Sequence, residues 1–149
     1  MKSFVSMLTV LTLSLALIGC SQTVSCPAAP DLGVTLTAKD VNSAGMTLVF
    51  TQSGGEACGE LNTGDWYQIE VSTDGDWVPV EYAIEDDDVA WNSLAWIIPM
   101  ENTVEWDVNW EWLYGELPAG QYRIAKEIVD FRKAGDFDKT LSYAEFTLE

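Results

Sequence analysis

The chain contains no histidine, and its 7 lysine and arginine residues face 24 aspartates and glutamates, giving a formal net charge of −17. The lack of histidine removes the most common metal ligand and the usual general base near neutral pH. The shortage of basic side chains argues against a nucleic-acid partner, because phosphate binding depends on clustered lysines and arginines. We therefore expect neither a nucleic-acid-binding protein nor a histidine-based enzyme.

Long apolar runs are also scarce. The longest, residues 4–18, is too short and too polar for a comfortable membrane-spanning helix, which needs about 20 apolar residues. With the basic start before it, this run has the size of a signal-peptide apolar region. The string Leu17-Ile18-Gly19-Cys20 resembles the lipobox of bacterial lipoproteins, in which small residues precede a lipidated cysteine. The alternative is an ordinary cleaved signal peptide with Cys20 there by chance.

The lipobox resemblance implies a lipoprotein signal peptide over residues 1–19 and a lipidated Cys20 as the mature N-terminus. Residues 20–32 then form a flexible tether, in which Ser, Thr, Ala and two Pro follow the lipidated cysteine. Each buried acyl methylene contributes about 0.8 kcal/mol, so two or three chains would hold the protein on the membrane. We therefore expect an exported protein, lipid-anchored to a bacterial membrane and facing the cell surface or periplasm.

Only three cysteines are present, and two of them, Cys26 and Cys58, are left after Cys20. Exported proteins retain disulfides, so a Cys26–Cys58 bridge is one prediction, and it would tie the tether to the folded body. The alternative is a pair of free thiols. Sequence alone does not decide between them, because bridging requires Cα atoms within a narrow distance range.

The body of the chain, residues 33–149, alternates apolar and polar side chains with a period of two. Such alternation in several short runs separated by turn residues predicts an all-β, immunoglobulin-like antiparallel β-sandwich of about seven to eight strands. The Asp74-Gly75-Asp76 string between two alternating runs predicts a hairpin. Tyr122, just after a Pro-Gly turn, is placed as the tyrosine corner of such sandwiches. A small closed barrel is the alternative fold.

The strictest alternation places Val104, Trp106, Val108, Trp110 and Trp112 on one strand face. A face that mixes Trp with Val is typical of a core, so we predict that Trp106 and Trp110 are buried. Trp66 and Trp77 lie opposite apolar faces, and we predict that these two form a ligand-binding surface. Lys126 alternates in register with apolar residues and is expected to point inward, toward an acidic partner on a neighbouring strand.

Several segments resemble a bacterial immunoglobulin-like (Big-type) domain family, whose small members carry a lipoprotein leader and this single domain: Gly45–Gly55, Val89–Trp91, Val108–Gly115 and Tyr122–Glu127. The string Asn109-Trp110-Glu111-Trp112-Leu113-Tyr114-Gly115 is its most specific part. The resemblance implies a fold and a cell-surface setting, and no activity. Cys58 departs from the family pattern, in which Thr or Pro is usual.

Acidic runs provide the candidate metal site. Four adjacent carboxylates, Glu85, Asp86, Asp87 and Asp88, repel one another, and a calcium ion would relieve this repulsion. The run does not match a calcium-loop motif, so a solvated turn is the alternative. We expect no cofactor apart from this candidate calcium.

Three functional hypotheses follow from the sequence. The first is a membrane-anchored, non-catalytic binding module that recognises an envelope protein, and the second is a carbohydrate-binding module that uses exposed tryptophans to bind cell-wall polysaccharide. The third is a hydrolase that uses Glu105 and Glu111 as paired carboxylates. Both glutamates fall on the polar face of a predicted strand, where charge normally meets water, so we expect no enzyme.

Overall fold

The computed structural model describes residues 30–85 and 89–149. These residues form eight strands and one short helix: β1 (Val34–Asn42), β2 (Gly45–Gln52), β3 (Glu60–Thr73), β4 (Asp76–Pro79), β5 (Trp96–Ile97), β6 (Asn102–Asn109), α1 (Glu111–Tyr114), β7 (Gly120–Lys133) and β8 (Asp136–Leu148).

The strands form two antiparallel sheets. The first has the order β1-β2-β6, and the second has the order β4-β3-β7-β8, with the short β5 also paired to β3. The two sheets face each other, and strands β1 and β8 lie against each other along one side. The predicted all-β, immunoglobulin-like sandwich of seven to eight strands is therefore confirmed.

The core lies between the two sheets and follows directly from the alternation. In β2, Met46, Leu48 and Phe50 are buried and point across to Ile69 of β3 and Ile124 of β7. Because successive strand side chains point to opposite faces, every second residue enters this layer. Fully burying one such side chain contributes about 1.5–3 kcal/mol, so the alternating runs provide the main driving force for folding.

Two predicted local features occur as expected. Asp74 and Gly75 both have positive φ, 54° and 93°, and connect β3 to β4 in the tight hairpin that the Asp-Gly string predicts. The Tyr122 hydroxyl donates to the Pro118 carbonyl oxygen at 2.9 Å, which is the geometry of a tyrosine corner. This bond fixes the entry into β7.

The long alternating run breaks earlier than the sequence predicts. Strand β6 ends at Asn109, whose Oδ1 accepts the Glu111 backbone N–H at 3.1 Å, and the chain turns into α1. Trp110 is fully buried just before the helix, while Trp112 is 46% exposed. The prediction that both tryptophans continue one strand face is therefore wrong, because a local side-chain-to-backbone hydrogen bond favours a turn.

The chain enters the sandwich at one end. The Glu56 backbone N–H donates to the Asp31 carbonyl oxygen at 2.6 Å, so Cys58 lies close to this entry. The buried carboxylate of Asp130 accepts the N–H groups of Cys58 and Gly59 at 3.0 and 2.6 Å. Cys58 is disulfide-bonded. Its predicted partner, Cys26, lies outside the described residues, so the pairing stays a prediction.

In the part of the chain that the structure describes, no helix has the length and apolar character needed to cross a membrane.

Candidate functional site: an aromatic cleft on the open side of the sandwich

One side of the sandwich is open. Strand β6 forms the edge of the first sheet, and it faces β5 and the irregular segment 89–92 across a cleft of about 400 Å³. We call this feature the aromatic cleft. Its lining consists of five aromatic residues, four polar residues and two small apolar ones: Tyr67, Trp91, Trp96, Trp106, Trp112, Asp65, Asn92, Asp107, Asn109, Ala90 and Val108.

Edge-to-face ring contacts hold one wall of the cleft. Tyr67 is buried, its hydroxyl donates to the Asn109 carbonyl oxygen at 3.1 Å, and its ring meets Trp91 at 5.2 Å between centroids. Trp91 in turn meets Trp112 at 5.7 Å and 71°. Burial raises the pKa of Tyr67, so this phenol stays protonated at neutral pH.

Two tryptophan rings are left half in solvent. Trp96 is 47% exposed and Trp112 is 46% exposed. The Trp96 indole N–H donates to Asp65 Oδ1 at 2.7 Å, which fixes the orientation of that ring. Large aromatic side chains that remain half exposed and held in place are typical of binding surfaces.

A buried lysine lies behind the cleft. The Lys126 ammonium is 3.9 Å from the centre of the Trp106 ring and donates to the carbonyl oxygens of Gly64 and Trp66, the latter at 2.8 Å. Burial lowers its pKa to about 7, and the charge of Asp65 opposes this shift. The inward orientation of Lys126 is confirmed. Backbone carbonyls and an aromatic face take the place of the acidic partner that we expected to hold it.

The irregularity in β3 explains this arrangement. Pairing of β3 with β7 is interrupted between Thr63 and Tyr67, so the intervening residues leave the regular ladder. Their carbonyl groups are then available to Lys126 instead of to a neighbouring strand. The same interruption places the Asp65 side chain in the cleft.

Comparison with known families accounts for this architecture. Residues 29–147 match the family described as bacterial Ig-like domain. The chain belongs to the bacterial Ig-like domain family. Comparison with curated proteins finds no match, and neither does comparison with solved structures. Ig-like domains of this family are generally non-catalytic β domains. Membership of the family therefore indicates the fold but does not identify a ligand.

The tryptophans predicted to bind ligand lie elsewhere on the Ig-like domain. Trp66 and Trp77 are both half-buried, and they are about six strand residues, or about 20 Å, apart along β3 and its partner β4. The Arg123 guanidinium covers the Trp77 ring at 4.8 Å and the Tyr143 ring at 4.2 Å. The structure does not bring the two tryptophans together, and their binding role stays a prediction.

The remaining predicted site residues are only partly described. Glu85 is exposed, whereas Asp86, Asp87 and Asp88 lie outside the described residues, as does Cys20. Within residues 30–85 and 89–149, no group of three or more potential ligands is arranged to hold a metal ion. The calcium site and the lipidation site therefore stay predictions.

The two candidate catalytic glutamates lie on different elements. Glu105 is in the middle of β6 and pairs with Lys39 at 3.0 Å on the outer surface, while Glu111 begins α1. Both are exposed. An exposed carboxylate paired with a lysine is a common feature of a strand surface and gives no sign of acid–base chemistry.

Sequence reasoning missed the cleft itself. Trp91 falls in an irregular stretch, Trp96 falls in the two-residue strand β5, and Trp112 falls in a helical turn that alternation misassigns. Trp106, predicted to be core, is half-buried, because one face covers Lys126 while the residue also lines the cleft. The available signal was the density of tryptophans between residues 91 and 112.

Proposed function

We propose that the protein is a lipid-anchored lipoprotein of the bacterial cell envelope whose Ig-like domain is a non-catalytic binding module. The observation that carries this proposal is the aromatic cleft, in which half-exposed Trp96 and Trp112 are held by neighbouring side chains. Rigid aromatic surfaces bind with little loss of side-chain entropy, so such a cleft is suited to a ligand.

The position of the cleft supports the anchored arrangement. Val34 and Asn102 both lie beside Gln52, whereas Asn109 lies beside Gly45 at the other end of the first sheet. Eight strand residues span about 25 Å. The tether from a lipid anchor at Cys20 would therefore enter the domain at the end opposite the polar residues that close β6.

The carboxylates of the cleft support binding over catalysis. Asp65 accepts from the Trp96 indole, and Asp107 Oδ1 accepts from the Thr47 hydroxyl at 2.8 Å. These bonds orient both groups as hydrogen-bond acceptors. A catalytic acid or base needs in addition a perturbed environment and a positioned partner.

The ligand candidates are an envelope protein and a cell-wall polysaccharide. A carbohydrate-binding module is the second candidate function, and the half-exposed indole rings favour it, because flat aromatic faces stack on sugar rings. In both cases the cleft is the predicted contact surface.

The binding role is tested by capture. The full chain in detergent is immobilised and exposed to solubilised bacterial envelope extract, beside a Trp96→Ala/Trp112→Ala variant and a Trp77→Ala control. We expect the wild type and the control to retain the same envelope component and the double variant to retain at least tenfold less. Equal retention by all three would remove the cleft as the site, and loss only in Trp77→Ala would favour the other face.

The anchor is tested separately. Cys20→Ser should move the protein from the membrane fraction to the soluble exported fraction, because the acylated residue is missing. Unchanged membrane retention of this variant would contradict lipid anchoring, but it would not bear on the proposed binding role of the domain.

A further inference from the structure

We infer that the aromatic cleft binds an uncharged saccharide, with Trp96 and Trp112 as stacking surfaces and the side chains of Asp65, Asn92 and Asn109 as hydrogen-bond partners. This inference rests on the proposed binding function and names the ligand class of the same site.

The first step concerns the aromatic faces. Trp96 and Trp112 present about half of their surface to solvent, and each is oriented by a contact on another edge: a hydrogen bond to Asp65 for Trp96, and the Trp91 ring for Trp112. An indole ring offers a flat apolar surface, and aromatic side chains bury about 150–250 Å² each when covered. The C–H faces of a sugar ring match that surface.

The second step concerns the amide groups. Asn92 Oδ1 accepts the Leu94 N–H at 2.9 Å, and Asn109 Oδ1 accepts the Glu111 N–H at 3.1 Å. Each of these bonds turns the Oδ1 atom of the asparagine side chain toward the backbone, so the NH₂ group points the other way. An asparagine amide carries two donor hydrogens in addition to its carbonyl oxygen, so both side chains can donate into the cleft.

The third step concerns the carboxylates. Asp65 and Asp107 each use Oδ1 for a bond to a protein side chain, Trp96 and Thr47 respectively. A carboxylate has about four lone-pair positions on two oxygens, so Asp65 retains acceptor capacity beside the Trp96 ring, whereas the Asp107 carboxylate is bonded across the outer face of the β2–β6 pair. One oriented acceptor and two oriented amides suit hydroxyl groups, each of which donates and accepts.

The fourth step concerns charge. An anionic ligand would meet two carboxylates in the lining and a chain of net charge −17. Like charges in close apposition oppose binding, so this negative charge disfavours an acidic saccharide. An uncharged saccharide avoids this repulsion.

The test compares matched probes on the full chain. Neutral oligosaccharides of glucose, xylose and N-acetylglucosamine, an oligogalacturonate of similar length, and choline are titrated by calorimetry and by tryptophan fluorescence. We expect saturable binding of at least one neutral oligosaccharide, with the acidic oligosaccharide and choline at least tenfold weaker. Trp112→Ala should weaken binding at least tenfold, Trp112→Phe should restore part of it, and Phe137→Ala, which removes an exposed aromatic ring of β8 outside the cleft, should match the wild type.

The outcomes separate this inference from the proposed function. Preferred binding of choline or of the oligogalacturonate would overturn the uncharged class, and so would no response to any neutral probe. If the same cleft variants still abolish capture from envelope extract, the binding module stands with another ligand class. If they change neither titration nor capture, both proposals fail.

Discussion

The two sides of the sandwich use the same residue types in opposite ways. On the closed side, where β1 lies against β8, the rings of Trp110 and Phe146 stack at 5.3 Å and 23°, and Phe146 stacks on Tyr122 at 5.6 Å and 18°. All three are buried. On the open side, Trp91 and Trp112 meet edge to face, and Trp112 stays half exposed.

The difference shows what decides the role of a tryptophan. Near-parallel stacking under a covering strand uses both ring faces for packing, whereas edge contacts beside an uncovered strand edge leave a face accessible. Among the described strands, β6 has a neighbour in its own sheet on one side only. The role therefore depends on the strand topology around the ring more than on the residue itself.

The largest expected loss of stability comes from a substitution on the closed side. Trp110→Ala removes a fully buried ring and its indole hydrogen bond to the Ser43 carbonyl oxygen at 2.7 Å. We expect the free energy of unfolding to fall by about 3–5 kcal/mol, the usual cost of truncating a buried aromatic side chain. Urea unfolding followed by circular dichroism measures this change. A loss below about 1 kcal/mol would contradict the packed role assigned to Trp110.

The second prediction concerns the buried cation of the open side. Burial lowers the pKa of Lys126 to about 7, against 10.5 for a free lysine. Between these values the unfolded chain binds a proton that the folded chain does not bind. Stability should therefore rise as the pH increases from 7 toward 9.5, by at most about 1.4 kcal/mol per pH unit.

Lys126→Met provides the comparison, because methionine keeps much of the apolar volume and removes the charge. Urea unfolding at several pH values should show a flatter dependence for this variant than for the wild type. The exposed Lys133 offers a control, and Lys133→Met should keep the wild-type slope. Parallel slopes for wild type and Lys126→Met would show that the lysine keeps an ordinary pKa.

The third prediction returns to the closed side. Tyr122→Phe keeps the ring that stacks on Phe146 and removes the hydroxyl bond to the Pro118 carbonyl oxygen. We expect a loss of about 1 kcal/mol in unfolding free energy, the typical net value of one such hydrogen bond. Thermal unfolding is the measurement, with Tyr143→Phe on the exposed face of β8 as the matched control. If Tyr122→Phe and Tyr143→Phe lower the midpoint of thermal unfolding equally, the tyrosine-corner hydrogen bond makes no specific contribution to stability.

The smallest effect on stability is expected on the open side. Trp112→Ala removes a ring that is 46% exposed, so less apolar surface returns to water than for Trp110. We expect a loss of about 1 kcal/mol or less. Urea unfolding beside Trp110→Ala gives a direct comparison of the two sides. A Trp112→Ala loss as large as that of Trp110→Ala would show that the open side is also structural.

The sandwich was predictable because its strands obey backbone geometry. In β2, the alternation of Met46, Leu48 and Phe50 predicts the buried face, and all three are buried. The Asp74-Gly75 hairpin was predictable for a similar reason, since its residue types suit a tight turn with positive φ.

The segment after β6 carried a second signal that alternation obscured. Trp110, Leu113, Tyr114 and Leu117 are all buried and have the spacing i, i+3, i+4 and i+7 of a helical face. Period two and period 3.6 overlap at Trp110, and the strict run before it favoured the strand interpretation. The helical spacing correctly leaves Trp112 outside.

The cleft was beyond sequence reasoning for a different reason. Its rings come from β3, the irregular segment before β5, β5 itself, β6 and α1, and only the pairing of the strands brings them together. Asp65 enters the site because the β3 ladder is interrupted. Gly64 and Asp65 are disfavoured inside a strand and mark a possible bulge, but they do not predict which side chain enters the cleft.

The antiparallel pairing of β1 with β2 has a mechanical consequence. Their hydrogen bonds run perpendicular to the strands, from Val34 at the entry to the turn at Asn42. A pull directed along β1, between an N-terminal anchor and a ligand at the far end of β6, would load these bonds together in shear. A shear load requires many bonds to break at once, whereas peeling breaks them one after another. If Cys58 pairs with Cys26 as predicted, this disulfide just before β3 would also transmit part of the tension from the tether to the second sheet.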